Sequence, residues 1–478
     1  MSYPYGNIEH MFESVDDAGL VATIEEATRA ENAAAALRSR AIGALLQRRL
    51  LDPDADERAL WTCDGFDSTA AEVAAAMNIS HGKACGQLRI AEYLRDHLPK
   101  VAALFARGEL SARVVSTITW RTRLIVEDTV WTHIDEELSR RAQTWGPMAD
   151  DRLSSALDAV IYQFDPAAVI AVKERGRVRD VTVGTREDEA GTVSMFGRLM
   201  ATDGALLEKK IAAIAATVCA DDPRSPGERR SDALAALADL NDHLTCRCAN
   251  PDCPVKDQPA QTSSVVISVI ADQPAITGAR TDSNSGGAAV IVDSKTPVPT
   301  PLLSDLLAKG ATVKPLVPPC DENPEPRYRP SAKLAAFVRA RDLTCRFPGC
   351  RVPASRCDID HVVPHPIGPT HASNLVCLCR KHHLLKTFWI GDWSLTLAGD
   401  GSSTWTSPTG KTYVTHPGSR ALFPDWDTTT AQLPKPESPI RSEPVRWQMM
   451  PVRKQARATQ RKARIDAERH HNSTGPPF

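Results

Sequence analysis

The chain predicts an α+β protein: a mainly helical N-terminal region with a few strands, a small metal-stabilised module, and a disordered basic tail. Three observations lead there. Hydrophobic residues make up 42% of the 478 positions but aromatics only 5%, so the cores must be built from Ala, Leu, Val and Ile. Ala and Leu are strong helix formers, and they recur at helical spacing through the first third of the chain. Finally, cysteine and histidine crowd into the short stretch from Cys345 to Lys386. A chain of this length holds two or three domains.

The helical region opens with Leu20, Ile24 and Ala27 and continues through Ala36, Ile42, Leu45 and Leu46. Further helices are expected over 69–77, 83–96, 100–107, 111–121 and 134–145, with Gly and Pro largely at the joints. Residues 178–183 alternate as a strand does, and 192–200 supply a partner. Asp203 reads as an N-cap for a helix over 206–219, followed by another over 231–240. Residues 264–271 are strand-like, whereas 272–300, rich in Gly, Ser, Thr and Pro, read as a long loop or hinge. A short helix over 301–309 precedes a Pro-rich linker.

The expected organisation is therefore a helical domain over 1–314, a linker over 315–330, a compact module over 331–420 and a tail over 421–478. The module should begin with a helix over 332–342, carry the cysteine knuckle, and finish in short strands over 393–397, 403–406 and 412–415. In the tail, from Arg441 to Arg469, nine basic residues stand against three acidic ones. Such a segment reads as a solvated, disordered end or as a contact for a polyanion.

Bulk properties narrow the function classes. The first 17 residues are polar and lack the basic start and apolar stretch of a secretory signal. No apolar run reaches the length of a membrane span. These features predict a soluble, cytoplasmic protein with no membrane partner. In a reducing compartment its twelve cysteines point to metal or burial before disulfides.

Structural zinc takes four Cys or His ligands in a tetrahedron. Cys345 and Cys350 flank a Phe-Pro-Gly turn, so both sulfurs can face one point. A helix beginning near Cys379 puts Cys379 and His382 on one face, three residues apart. His382 and His383 stand about 100° apart around such a helix and cannot easily serve one metal. The assignment is thus Cys345, Cys350, Cys379 and His382 to zinc, with His383 facing the other way. Cys357 and Cys377 read as small buried residues. A zinc ion contributes roughly 10–16 kcal/mol of apparent binding energy, enough to hold so small a module folded.

Asp360 and His361 end a strand expected over 357–362. Successive strand residues point to opposite faces, so the two can divide labour. Asp360 would ligate a hard divalent cation such as Mg²⁺ or Mn²⁺, and His361 would deprotonate water. His383, freed from zinc, would be the second ligand to that catalytic metal. Asn374 can either pin the intervening loop or touch the metal.

An Asp-His pair, a loop, an Asn and then Cys-x-x-His-His with a following Lys resembles the HNH endonuclease motif and its ββα-metal fold. The resemblance implies cleavage of a phosphodiester backbone, with His361 as base and Asp360 and His383 holding one metal ion. It places Arg380 and Lys386 near phosphate, where cations position a nucleic acid without reading its sequence. Over nearly the whole chain, to about residue 420, the helical region, the Cys-x-Cys-x4-Cys cluster, Tyr328-Arg329-Pro330 and the Asn374–Thr387 run are together similar to the actinobacterial 13E12-repeat family. Proteins of that family join a helical domain of unknown function to an HNH nuclease. The first zinc pair here is Cys-x4-Cys and the second Cys-x-x-His, where two Cys-x-x-Cys pairs are common. His365 is a rival base.

Two further signals have competing readings. Residues 69–91 look like a helix-turn-helix, with Lys83, Gln87 and Arg89 placed to meet a groove; two packed helices would give the same pattern. Cys246, Cys248 and Cys253 could bind a second zinc, with Cys219 or His243 as fourth ligand. The expected function is a zinc-stabilised, divalent-metal-dependent DNA endonuclease, with the helical domain directing target choice or assembly. The rivals are a nucleic-acid-binding protein that no longer cuts, and an interaction protein. DNA against RNA is left open.

Overall fold

The computed structural model describes residues 12, 14–52, 54–142, 148–169, 180–184, 188, 191–256, 268–281, 287–292, 297–308, 310–316, 319, 323–389, 393–431 and 450–474. It divides into two compact units: Met1–Ala171 together with Pro315–Phe478, and Val172–Lys314. Among the described residues, no helix is long and apolar enough to cross a membrane.

Most of the helices form where the apolar spacing predicts them; those over Ala55–Arg58 and Asp150–Phe164 are not predicted, and the one over Asp128–Ala142 begins six residues before the expected start at 134. The long α1 (Asp17–Leu50) starts where the Asp16 carboxylate accepts the Gly19 amide. After α2 (Ala55–Arg58), α3 (Gly65–Met77) is capped by Asp64 and stops at Asn78, which takes the left-handed conformation at φ 50°. Ser80 caps α4 (His81–Asp96). Ile42, Leu46, Phe66, Ala70, Val73 and Leu88 bury the seam of α1, α3 and α4. Arg89 is tied to Glu92 and lies over the Phe66 ring, while Lys83 is exposed, and α3 and α4 pack against each other. Next come α5 (Pro99–Ala106), α6 (Ala112–Arg121), α7 (Asp128–Ala142) and α8 (Asp150–Phe164), around a second core with Leu98, Ile118, Trp131, Ile134 and Leu157.

In the second unit β1 (Asp180–Val183) pairs antiparallel with β2 (Met195–Arg198). Then α9 (Ala201–Ala215) begins before the predicted Asp203 cap and ends before Cys219, and α10 (Pro226–Ala238) opens with a Ser225–Glu228 capping box. After β3 (Val269–Ala271), which falls within the strand predicted over 264–271, the segment read as a loop or hinge holds regular structure: α11 (Gln273–Thr281) and β4 (Ala289–Ile291), followed by α12 (Thr300–Ala308). The reason is Asp272, whose carboxylate accepts the amides of Ala275 and Ala288 and so caps the helix and closes the turn. Part of the predicted 264–271 strand lies outside the described residues.

The C-terminal part of the first unit opens with α13 (Ala332–Asp342), as predicted. Then β5 (Cys357–His361) pairs antiparallel with β6 (Leu375–Cys379), in register Cys357↔Cys379 to His361↔Leu375. The chain runs directly into α14 (Arg380–Phe388), then into a sheet of β7 (Ser394–Leu397), β8 (Ser403–Thr406) and β9 (Thr412–Thr415). Asp342, fully buried, binds Arg341 and Arg346 and accepts the Cys377 amide at 2.8 Å. Arg341 in turn donates to the Ala372 and Leu375 carbonyls, so one ion cluster fixes the hairpin to α13.

Two expectations about organisation change. The predicted module is not walled off from the helical region: Trp61, Cys63, Ala71 and Ala75 share one buried cluster with Phe337, Leu375, Val376 and Leu378. The disordered tail is also corrected. After α15 (Ser419–Leu422), residues 457–474 form α16 (Arg457–Thr474). Its charges meet fixed acidic partners, which no reading of local periodicity could supply. Arg457, with Arg453 just before it, reaches Asp64 and Asp67; Arg461 reaches Glu92; Arg469 reaches Asp165. Residues 432–449 and 475–478 of that tail lie outside the described residues.

Candidate metal centre and hydrolytic site

The knuckle between α13 and β5 brings Cys345 and Cys350 to the start of α14. The Sγ atoms of Cys345, Cys350 and Cys379 and a ring nitrogen of His382 all lie within 4.8 Å of one another. Nδ1 of His382 stands 3.4 Å from Cys345 Sγ and 3.3 Å from Cys379 Sγ, and Cys350 Sγ is 4.0 Å from Cys379 Sγ. A tetrahedral zinc with ordinary bond lengths separates its ligand atoms by about 3.5–3.8 Å, so the donor set fits. Phe347 stacks on the His382 ring at 4.0 Å and holds its orientation. Gly349 makes the turn possible: φ is +71°, and a Cβ there would come within 2.3 Å of the Ile79 carbonyl oxygen. Cys357 and Cys377 are buried and belong to neither corner of this set, as the spacing predicted.

On the hairpin, alternation sorts the acidic residues. Asp358 and Asp360 are two apart on β5 and face α14, while His361 turns to the intervening loop. His383 lies between the two carboxylates: Nδ1 is 2.9 Å from Asp358 Oδ2, and Nε2 is 3.3 Å from Asp360 Oδ1. Burial disfavours charge on His383, but the Asp360 hydrogen bond and both carboxylates prevail and raise its pKa above the ordinary value. Burial likewise opposes ionisation of Asp360, yet His383 and Lys386 hold its pKa below the usual range. A carboxylate oxygen and an imidazole nitrogen facing one another are donors of the kind that divalent transition-metal ions accept. Asp358 then stands behind the imidazole as an orienting carboxylate.

His361 is 5% exposed, and its Nε2 lies 2.9 Å from Thr370 Oγ1. Tyr328 stacks on its ring at 5.3 Å. Burial pushes the His361 pKa below the ordinary value, so the ring is neutral near pH 7. His365 lies 5.7 Å from His361, ring to ring, on the same loop. Asn374 takes the first of its two expected roles. Its Oδ1 accepts the Val363 amide, and its Nδ2 donates to the Val363 and Pro369 carbonyls, pinning the loop.

Lys386 does not stand out toward solvent. Its ammonium lies 2.6 Å from both Asp360 Oδ2 and the His361 carbonyl oxygen. Arg380 is 65% exposed and only loosely paired with Asp358, at 3.8 Å. Beside the zinc ligands, Lys381 reaches across to Asp67 at 2.6 Å. Asp67, His81 and Cys85 also form a possible ligand group, but Lys381, Arg453 and Arg457 already surround that carboxylate with positive charge.

Sequence reasoning missed Asp358, Thr370, Tyr328 and Asp67. The Asp-x-Asp alternation in a predicted strand carried the signal for Asp358. Tyr328 stood in the Tyr328-Arg329-Pro330 motif without a role at the site, and Thr370, in a loop, and Asp67, on a helix distant in sequence, are marked by no local pattern. In the second unit, the cluster Cys246, Cys248 and Cys253 gains Cys219, and His243 instead sits beside Asp242.

The family model described as a domain of unknown function, DUF222, matches residues 26–342. The chain is similar to two Mycobacterium tuberculosis proteins named only as uncharacterized. With Rv3776 it is 47% identical over 95% of this chain and 90% of the relative. With Rv2100 it is 45% identical over 98% of this chain and 92% of the relative. A shorter protein of that organism, from an est 3' region, is 44% identical over 67% of this chain and 96% of its own length. No solved structure matches.

Proposed function

We propose that this chain, which belongs to the DUF222 family, is a divalent-metal-dependent endonuclease of the HNH type that hydrolyses phosphodiester bonds in DNA. One observation carries the reading: His383 bridges Asp358 and Asp360 on a β-hairpin that runs into its own helix, beside a Cys₃His group of zinc geometry. Cys345, Cys350, Cys379 and His382 would hold structural zinc and clasp the knuckle to α14. Asp360 and His383 would hold Mg²⁺ or Mn²⁺, which supplies positive charge to the phosphate oxygens during cleavage.

The remaining roles belong to the protein's own groups. His361, neutral by burial, takes the proton of the attacking water at its unprotonated ring nitrogen. Thr370 and Tyr328 fix the ring, and Asn374 fixes the loop that carries Thr370. Arg380, exposed at the start of α14, would meet the phosphate backbone. The helical region, sharing its core with this module, directs target choice or assembly.

A second reading has an observation of its own. The Lys386 ammonium at 2.6 Å from Asp360 already neutralises that carboxylate, as it would in a nucleic-acid-binding protein that no longer cuts. The test is zinc-loaded protein incubated with supercoiled plasmid and Mg²⁺ or Mn²⁺, beside His361→Ala. The nuclease reading expects nicking or linearisation by the wild type and a loss of about 10²–10⁴-fold in the variant. If both proteins bind the plasmid and neither cuts it, the second reading replaces the first. An RNA substrate run in parallel decides between the two nucleic acids.

A further inference from the structure

We infer that the second unit holds its own structural zinc, bound by Cys219, Cys246, Cys248 and Cys253. This site is separate from the Cys345 knuckle and independent of the nuclease reading. The four Sγ atoms lie within 4.8 Å of one another, three of the four cysteines are buried, and all four are free thiols. The donor set is complete and closed: four thiolates fill a tetrahedron and leave no position for water or substrate, which marks a structural site and not a catalytic one.

The surrounding residues prepare the site without help from a metal. Cys219 follows the end of α9, and the other three cysteines lie beyond α10, so the two ligand-bearing segments must be docked across a helix. Asp222 does this. Buried to 5% exposure, it accepts bonds from Nε and an amino nitrogen of Arg224 on its own segment, and from the backbone amide of Arg247 between the cysteines of the other. The Thr217 hydroxyl accepts the Leu244 amide at 2.9 Å and closes a second tie between them. The Sγ atoms of Cys219 and Cys246, one from each segment, stand 3.4 Å apart. Four thiolates around one Zn²⁺ leave net negative charge, and the Lys256 ammonium, bonded to the Cys248 carbonyl at 3.1 Å, stands beside it.

The unit also has a physical need for such a clasp. Among the described residues, the buried apolar set around α9 and α10 is small: Ile214, Ala233 and Leu244. A core of that size holds little structure by itself, and a metal that binds only the folded arrangement contributes its binding energy to folding.

The experiment is zinc analysis of the full-length protein, purified without chelator, with three forms compared. The wild type should carry about two zinc ions per chain, and Cys345→Ser with Cys379→Ser about one. Cys246→Ser with Cys248→Ser should also carry about one, from the knuckle. Co²⁺ introduced into the Cys345/Cys379 variant should give the absorption of an all-thiolate tetrahedral site. Hydrogen exchange over residues 216–256 should rise in the Cys246/Cys248 variant, with exchange in 65–96 unchanged. Wild-type protein with about one zinc, all of it lost from the Cys345/Cys379 variant, would overturn the proposal. So would full wild-type zinc in the Cys246/Cys248 variant, or disulfides among these four cysteines in protein isolated under reducing conditions.

Discussion

Replacing Asp67 by Asn tests how the C-terminal segments are held to the helical region. The Asp67 carboxylate is fully buried and faces Arg457 at 2.5 Å, Lys381 at 2.6 Å, Arg453 at 2.9 Å and His81 at 3.1 Å. Asn keeps the shape and removes the charge, leaving three cations short of a partner. Removing one member of a buried ion pair costs about 3–5 kcal/mol. Here the side chains of Lys381, Arg457 and Arg453 keep 37%, 28% and 19% exposure, so water screens part of the loss. Both arginines also retain Asp64. The expected loss is therefore about 2–3 kcal/mol at pH 7, read by urea denaturation.

The pH dependence supplies an internal check. Burial opposes ionisation of Asp67, but its partners prevail and hold its folded pKa far below the ordinary carboxylate value. The group therefore stabilises the fold above its unfolded pKa of about 3.9, and that contribution fades as pH falls toward the folded value. The deficit of Asp67→Asn should be full at neutrality and should shrink in acid. A variant within about 0.5 kcal/mol of wild type at pH 7 would refute the reasoning, as would a deficit that does not change with acidification.

Three other outcomes follow from the same geometry. Asn374→Ala removes the partners of Val363 and Pro369 and should lower stability by about 1–3 kcal/mol, with plasmid nicking reduced more than zinc content. Asp342→Asn strips the counter-charge from buried Arg341 and Arg346 and should cost about 3–5 kcal/mol, read as a fall in the denaturation midpoint. Lys386→Met frees Asp360 from its ammonium, and Mn²⁺ should bind roughly tenfold tighter by calorimetry, the worth of one charge-assisted contact. Unchanged Mn²⁺ affinity would show that Lys386 does not compete for the carboxylate.

Local chemistry made much of this protein legible in its amino-acid sequence. Apolar spacing located α1, α3 to α7 and α13, because an amphipathic helix writes its buried face at a fixed period. Cys-x4-Cys and Cys-x-x-His spacing located the four zinc-type donors, because a turn and the first turn of a helix each bring two ligands to one point. Strand alternation separated Asp360 from His361 for the same kind of reason. Tertiary structure alone decided the rest. Whether Asn374 pins a loop or touches a metal depends on where the Val363 and Pro369 carbonyls come to lie. Lys386 turns inward because Asp360 and the His361 carbonyl happen to face its helix. The described end of the basic tail forms α16, whose arginines meet Asp64, Asp67, Glu92 and Asp165, hundreds of positions earlier. Each of these turns on a partner distant in the chain. A residue's own neighbours fix its periodicity, but only the fold fixes which opposite charge, carbonyl or thiol it will meet.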